Sequence, residues 1–283
     1  MELNKNAIIF VPDGKLEKEA FSRITHLAVS AHQDDIEFMA YAPIAECFGR
    51  EDKWFGAVVT TDGAGSPRNG LYADFTDEDM KRIRIGEQKK AAYVGEYGVQ
   101  VLLGHPSRQV KDPKDTEIIE EFVQLFRAAR PQYVYMHNLA DKHETHVGTA
   151  LKVIAALRKL KENELPEKVY GCEVWRDLDW VLDEEKIYMD CGPHPNIARA
   201  LSGVFDSQIV GGKRYELAAE GRRVANATFS ASHACDTYTG LNYAMDLTPL
   251  IKDKTLDVAE YVTGYIRRFE NEVRSTIKRF TEE

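Results

Sequence analysis

Four short apolar runs, each ending in a polar cluster and each followed by a helix-favouring stretch, constrain this chain more than any other feature. They cover Thr25 to Ala31, Trp54 to Thr61, Val99 to Leu103 and Tyr133 to Met136. Runs of this length suit buried strands. Between them lie an apolar-rich stretch from Phe38 to Cys47 and a charged one from about Thr76 to Glu96. A third, Thr116 to Ala129, carries Ile118, Ile119, Phe122, Val123 and Phe126 at helical spacing. A further helix is predicted after the fourth run, through about Lys161. Alternation of this kind signals a parallel sheet with right-handed crossovers, so the expected fold class is α/β: a Rossmann-like, mostly parallel sheet flanked by helices.

From Val169 onward the pattern is less regular. Strands are predicted near Val169–Trp175 and Lys186–Asp190, and helices near Tyr215–Ser232 and Leu256–Arg279. No internal repeat, low-complexity tract or Gly/Ser linker interrupts the chain. The expectation is one domain over residues 1–283, with a core of about 20–165 and an α/β C-terminal extension of about 166–283. The 283 residues, 43% of them hydrophobic, are ample for one large core.

A formal charge of −9 argues against general nucleic-acid or anionic-membrane binding, because the long-range field repels both. The four cysteines, Cys47, Cys172, Cys191 and Cys235, are scattered and form no C-x-x-C pair. That fits free thiols in a reducing compartment better than a disulfide framework or a thiolate zinc site. The first twenty residues contain no long apolar stretch, so neither a secretory signal nor a membrane span is expected, and cytoplasmic location is the default.

In parallel sheets of this class ligands gather beyond the carboxyl ends of the strands. The clusters HQDD, TDGAGS, LGHPS and HNLADKHETH all fall there. His32, Asp34 and Asp35 follow the first run. Neighbouring extended residues point opposite ways, so the two aspartates are expected to differ in role, one toward a metal and one toward a bound water. The competing reading is that both simply cap the next helix. His143 and His146, three apart, can face one direction at the start of a helix, or stand as surface histidines. Taken together, the two clusters bring His, Asp and His to one point, an N/O donor set suited to zinc. Phosphate-loop, dinucleotide and serine-elbow patterns are absent.

The segment AHQDDIE, followed about a hundred residues later by HETHVG, resembles the signature pair of the PIG-L/LmbE-like deacetylase family, over roughly the first 160 residues. The family pattern is A-H-P-D-D with a following glutamate, then H-x-D-H. The resemblance implies a Rossmann-like zinc hydrolase that removes an N-acyl group from an amino sugar or glycoconjugate, often an N-acetylglucosamine compound. By the same resemblance His32, Asp35 and His146 match the metal ligands, Asp34 the general base, and His143 the histidine that assists at the carbonyl. Arg84 and Glu87 resemble an R-x-x-E stretch whose arginine contributes to substrate binding, and Asp206-Ser207-Gln208 an H-x-S-Q element that here lacks its histidine.

This chain departs from the pattern at several positions. Gln33 stands for the proline, Tyr41-Ala42 for a Gly-Gly pair, and Thr145 for the aspartate that tunes the assisting histidine. Losing that carboxylate should make His143 harder to protonate unless Asp141 or Glu144 replaces it. Ser107 lies where sugar-specific members carry a substrate-binding aspartate. Trp175, Arg176, Trp180 and Tyr215 are candidates for lining a substrate pocket, against the ordinary alternative that such aromatics are core. His105, His194 and His233 are expected to be structural or surface groups, with His233 also a candidate for the rim of the site. Tyr261, Ile266, Phe269, Val273 and Ile277 are expected to form a packing face, with an oligomer contact left open. Zinc is the expected cofactor, with iron or manganese able to use the same donors. Two alternatives remain: a non-catalytic carbohydrate- or metabolite-binding protein that kept the fold, and an amidase of a thiol conjugate.

Overall fold

The computed structural model describes residues 1–281. The four apolar runs form strands β2 (His26–Ser30), β3 (Phe55–Thr61), β4 (Val99–His105) and β5 (Tyr133–His137). Around them lie β1 (Ile8–Phe10), β6 (Lys168–Cys172), β7 (Ile187–Asp190) and β8 (Leu241–Asp246). All eight belong to one sheet of order β1-β4-β3-β2-β5-β6-β8-β7. The five central strands from β4 to β6 pair in parallel, while β1, β8 and β7 are added antiparallel at the two sides. The α/β class and the mostly parallel centre read from the sequence are therefore present.

Alternation along the strands sorts the core into two layers. Leu27, Val29, Val134 and Met136 face one way, toward the helices Glu117–Ala129 and Glu144–Arg158. Ala28, Ala57, Val59 and Tyr135 face the other, toward the residues of Asp35–Met39, Tyr41–Cys47 and Asp77–Val94. Thr76 starts the last of these helices with a capping box to Asp79.

Three expectations need correction. The single helix expected over Phe38 to Cys47 is two helices, Asp35–Met39 and Tyr41–Cys47, broken at Ala40. Pro43 has no amide hydrogen to continue a helix from Met39, and sits instead in the first turn of a new one. Strands β1 and β8 were not foreseen: one has three residues, and LNYAMD carries Asn242 within its run. The packing face of the last helix, Val258–Thr281, is real only over its first half, where Val262 and Tyr265 are buried. Ile266, Phe269, Val273 and Ile277 are exposed.

His105, at the end of β4, lies against Glu121 with both side chains buried. Burial opposes charge on either group, but each partner outweighs it: the imidazole is raised and the carboxyl lowered. A raised histidine contributes fully below its unfolded value of about 6.5 and loses that contribution as pH rises. A lowered carboxyl contributes above about 4.3 and loses that contribution as pH falls. The pair is therefore expected to stabilise most between those limits. Glu121→Gln should lower the unfolding free energy by about 1–3 kcal/mol near pH 5.5, and by less at pH 8.5, in urea melts. An equal loss at both pH values would contradict the pairing.

Candidate active site

The chain runs outward from β2 through β3 to β4, then returns to place β5 on the other side of β2. That reversal opens a crevice beyond the carboxyl ends of β2 and β5. The loop after β2 supplies His32 to Asp35, and the loop and helix after β5 supply His143 and His146. Three side chains bring four N and O atoms together there. His32 Nδ1 lies 3.2 Å from Asp35 Oδ2 and 3.2 Å from His146 Nε2, and Asp35 Oδ1 lies 3.3 Å from that same nitrogen. Donors held at about 2.0–2.2 Å from one tetrahedral centre stand roughly 3.3–3.6 Å apart. The three side chains could hold a divalent cation of N/O preference; His137 with Asp35 and His146, and His143 with His32 and His146, are likewise close enough to share one.

Each member is held from behind. The His32 amide donates to Asp35 Oδ2 (2.7 Å), and Asp141 Oδ2 lies 3.3 Å from His146 Nδ1. Carboxylate support of a ligand imidazole fixes its tautomer and orientation. Burial works against charge on Asp35, yet His146 and His137 beside it hold the carboxyl well below the usual range. Burial likewise opposes the His146 proton, but Asp35 and Asp141 raise this imidazole to about 9. The same negative field favours a cation.

Asp34 has different partners from Asp35, although neither residue is extended, contrary to the expectation from sequence: Asp34 has a positive φ and Asp35 opens a helix. The Asp34 φ of 81° is a conformation that non-glycine residues rarely adopt. Its carboxylate makes no capping bond to the following helix, which removes the capping alternative for this residue. Instead Oδ2 accepts from Arg84 Nη2 (3.0 Å), and its amide donates to Gln88 Oε1 (3.2 Å). Burial raises this carboxyl to about 7 despite Arg84, with Asp35 adding to the rise.

Arg84 lines the cavity at 1% exposure, and its guanidinium is engaged by Asp34, Glu87 and the Gln33 carbonyl. It therefore supports Asp34 from within the cavity wall. Glu87 in turn accepts from the Ser207 amide (2.7 Å) and hydroxyl (2.8 Å), so the R-x-x-E and D-S-Q segments meet in space.

His143 lies between the triad and Trp175, its ring 4.5 Å from that of His146 and 4.8 Å from that of His32. Asp141 accepts its amide (3.0 Å) but not its ring, and Nδ1 is without a partner. Burial and the nearby imidazoles lower it to about 4. The carboxylate that Thr145 fails to supply is thus not replaced at His143; Asp141 serves His146 instead.

A cavity of about 390 Å³ opens over these groups. Its wall includes Asp34, Ser107, His143, Thr145, Trp175 and Tyr215, with Gly63 to Pro67 from the loop after β3 on one side. Arg176 and Trp180 do not line it: Arg176 is exposed, and Trp180 packs beside the main core. His233 is exposed away from this wall, and His194 accepts the Tyr41 hydroxyl through its carbonyl.

His137 is the residue that sequence reasoning missed. It ends β5 fully buried, stacks 3.9 Å from the His146 ring, and its Nε2 accepts the Ala31 amide (2.9 Å). Burial lowers it to about 4, so it is a neutral acceptor. Its position directly after an apolar run was the available signal.

Residues 27–157 match the family model described as PIG-L: GlcNAc-PI de-N-acetylase. No curated protein matches the sequence significantly. Among solved structures, the hydratase GalB from Pseudomonas putida KT2440, which acts on 4-carboxy-2-hydroxymuconate, is 17% identical, with a TM-score of 0.60 over 79% of this chain and 96% of its own. The N,N′-diacetylchitobiose deacetylase from Pyrococcus horikoshii is 14% identical, TM-score 0.58, over 82% and 88%. The A40926 pseudoaglycone deacetylase Dbv21 is 14% identical, TM-score 0.57, over 80% and 97%. At these identities the likeness is one of fold.

Removing the buried guanidinium should leave two buried carboxylates without a cation. Arg84→Met is expected to cost about 3–5 kcal/mol in denaturant unfolding at pH 7. A loss below about 1 kcal/mol would mean that Asp34 and Glu87 do not depend on it.

Proposed function

From a chain whose residues 27–157 carry the PIG-L segment, we propose a metal-dependent hydrolase that removes an N-acyl group, N-acetyl in the simplest case, from an amino sugar or related amine. The observation that carries this reading is the convergence of His32, Asp35 and His146 within 3.2–3.3 Å, beside the Arg84-held carboxylate of Asp34 in the wall of an open cavity. Zinc is the metal the donor set suits best, with iron or manganese as alternatives.

A divalent cation held by these three side chains would lower the pKa of a water and polarise an acyl carbonyl. Asp34 is the group to take a proton from the attacking water. It stands outside the donor triad, and the Arg84 contact fixes the carboxylate while burial keeps it basic enough for the task. His143, with no carboxylate on its ring and a lowered pKa, is neutral and would act as a hydrogen-bond donor toward the carbonyl oxygen as negative charge develops. Water addition to the carbonyl gives a tetrahedral carbon. The C–N bond then breaks, the proton held by Asp34 passes to the leaving nitrogen, and the products are a carboxylate and an amine. Three buried free cysteines and one exposed one accord with a reducing, cytoplasmic setting. Among the described residues no helix is long and apolar enough to cross a membrane.

GalB shares the fold and adds water to a different bond, so a hydratase is the second reading. Release of primary amine from N-acetylated amino sugars separates the two. Asp34→Asn is expected to reduce that release by at least about 10²-fold while metal content by elemental analysis stays stoichiometric. His146→Ala is expected to lose the metal. Amine release by Asp34→Asn at the wild-type rate would remove Asp34 from the mechanism, and full metal occupancy in His146→Ala would remove that histidine from the donor set. Asp141→Asn should weaken metal binding by about 10–100-fold in chelator competition.

A further inference from the structure

A second hollow of about 260 Å³ adjoins the reaction cavity, and the two share Trp175, Lys213 and Tyr215. Lys213 is exposed and lines both, so they open onto one stretch of surface. The reaction cavity is polar on its loop side, but this neighbour is not. Its apolar wall is Phe38, Val174, Trp175, Tyr215, Ala218 and Ala219. Ring contacts join three of them: Phe38 to Tyr215 at 5.7 Å and Trp175 to Tyr215 at 6.0 Å.

The charged side chains around the hollow are turned to other work. Glu173 is buried and accepts from the Tyr243 and Leu178 amides and from Asn226. Arg222 donates to the Val174 carbonyl, the lining Asn242 donates to the Phe38 carbonyl (2.8 Å), and Arg214 pairs with Glu216. Lys213 lies over the Trp175 ring, 5.1 Å from its centre, at the rim. What remains facing the space is an apolar surface, and filling it with an apolar group removes that surface from water.

The hollow is also tied rigidly to the reacting groups. Phe38 lies on the helix that begins at Asp35, and the Trp175 amide donates to Asp141 (3.2 Å), the carboxylate behind His146. A substituent seated there is therefore held in register with the reaction cavity.

We infer that the substrate carries an apolar group, aryl or short alkyl, beyond the reacting amide, and that this group seats against Phe38, Trp175, Tyr215 and Ala218. The inference rests on reading the adjoining cavity as the substrate site. It narrows the substrate class from amino sugars in general to N-acyl amines with a hydrophobic appendage, and makes Ala218 and Ala219 residues that set specificity through the room they leave.

The test measures binding and turnover separately on metal-loaded protein. Binding of 4-phenylbutyrate is compared with acetate by calorimetry, in wild type, in Ala218→Phe and Ala219→Leu, which fill the hollow, and in Leu217→Ala, an exposed control on the same helix. Wild type and the control are expected to bind the aryl acid at least about tenfold more tightly than acetate, and the filling variants to lose most of that advantage. Amine release is then compared for N-acetylglucosamine and its phenyl glycoside, and for N-acetyl and N-phenylacetyl amines. A lower KM for one of the aryl compounds, erased in the filling variants, is the expected result. If no amide is cleaved yet the aryl advantage persists and depends on Ala218, the hydrolase reading fails and the subsite stands. If amides are cleaved but aryl and acetyl ligands bind alike, the subsite is overturned and hydrolysis stands. Should the filling variants not fold, equal binding of the two acids in wild type alone overturns it.

Discussion

Arg84 is the buried cation on which the rest of the site depends. A guanidinium at 1% exposure needs its charge opposed and its terminal nitrogens engaged. Asp34, Glu87 and the Gln33 carbonyl do this at Nη1 and Nη2, while Nε stays without a partner, and each of the three belongs to a different requirement of the molecule. Asp34 is held in a left-handed conformation that its own sequence does not favour. Gln33 belongs to the turn that leads into it. Glu87 reaches on to Ser207 and fastens the C-terminal extension to the Asp77–Val94 helix. One charge thereby fixes the loop after β2, the central crossover helix and the extension relative to one another.

The donor cluster is a product of topology. Because β5 returns to the far side of β2, two loops more than a hundred residues apart in sequence come to face each other across the crevice. His32, Asp35 and His146 then need only local support, which Asp141 and the His32 amide provide. His137 adds a neutral ring behind them that accepts the Ala31 amide, so the backbone carrying His32 is anchored to the strand that leads toward His146.

The extension completes the wall around this cluster. It contributes Trp175, Lys213 and Tyr215 to the cavity wall, and through Trp175 it bonds to Asp141. His32, Asp34, Asp35 and His146 come from the segment up to residue 157 that matches the family model, whereas the apolar hollow beside them is built largely from residues after it. The His/Asp cluster and the hollow beside it thus come from two stretches of one chain that share a single sheet.

The sequence by itself determined the central strands, since short apolar runs ending in polar clusters have few other ways to bury themselves, and it determined the chemistry of the donors because His32, Asp35 and His146 stand directly at strand and helix ends. It also suggested that Asp34 and Asp35 differ, but on the premise of an extended backbone, whereas their different partners arise from a positive φ at Asp34 and a helix start at Asp35. Tertiary structure alone decided where Arg84 points, since a polar side chain on a helix carries no mark of being buried until its partners are assembled around it. The same holds for Asp141, which supports His146 instead of His143, and for His137, hidden because a histidine closing a strand looks like any polar terminus. Arg176 and Trp180 fell outside the cavity while Tyr215 entered it for a related reason. In the irregular extension no period of 2 or 3.6 ties a residue to a face, so only long-range packing sets which side chains meet the site.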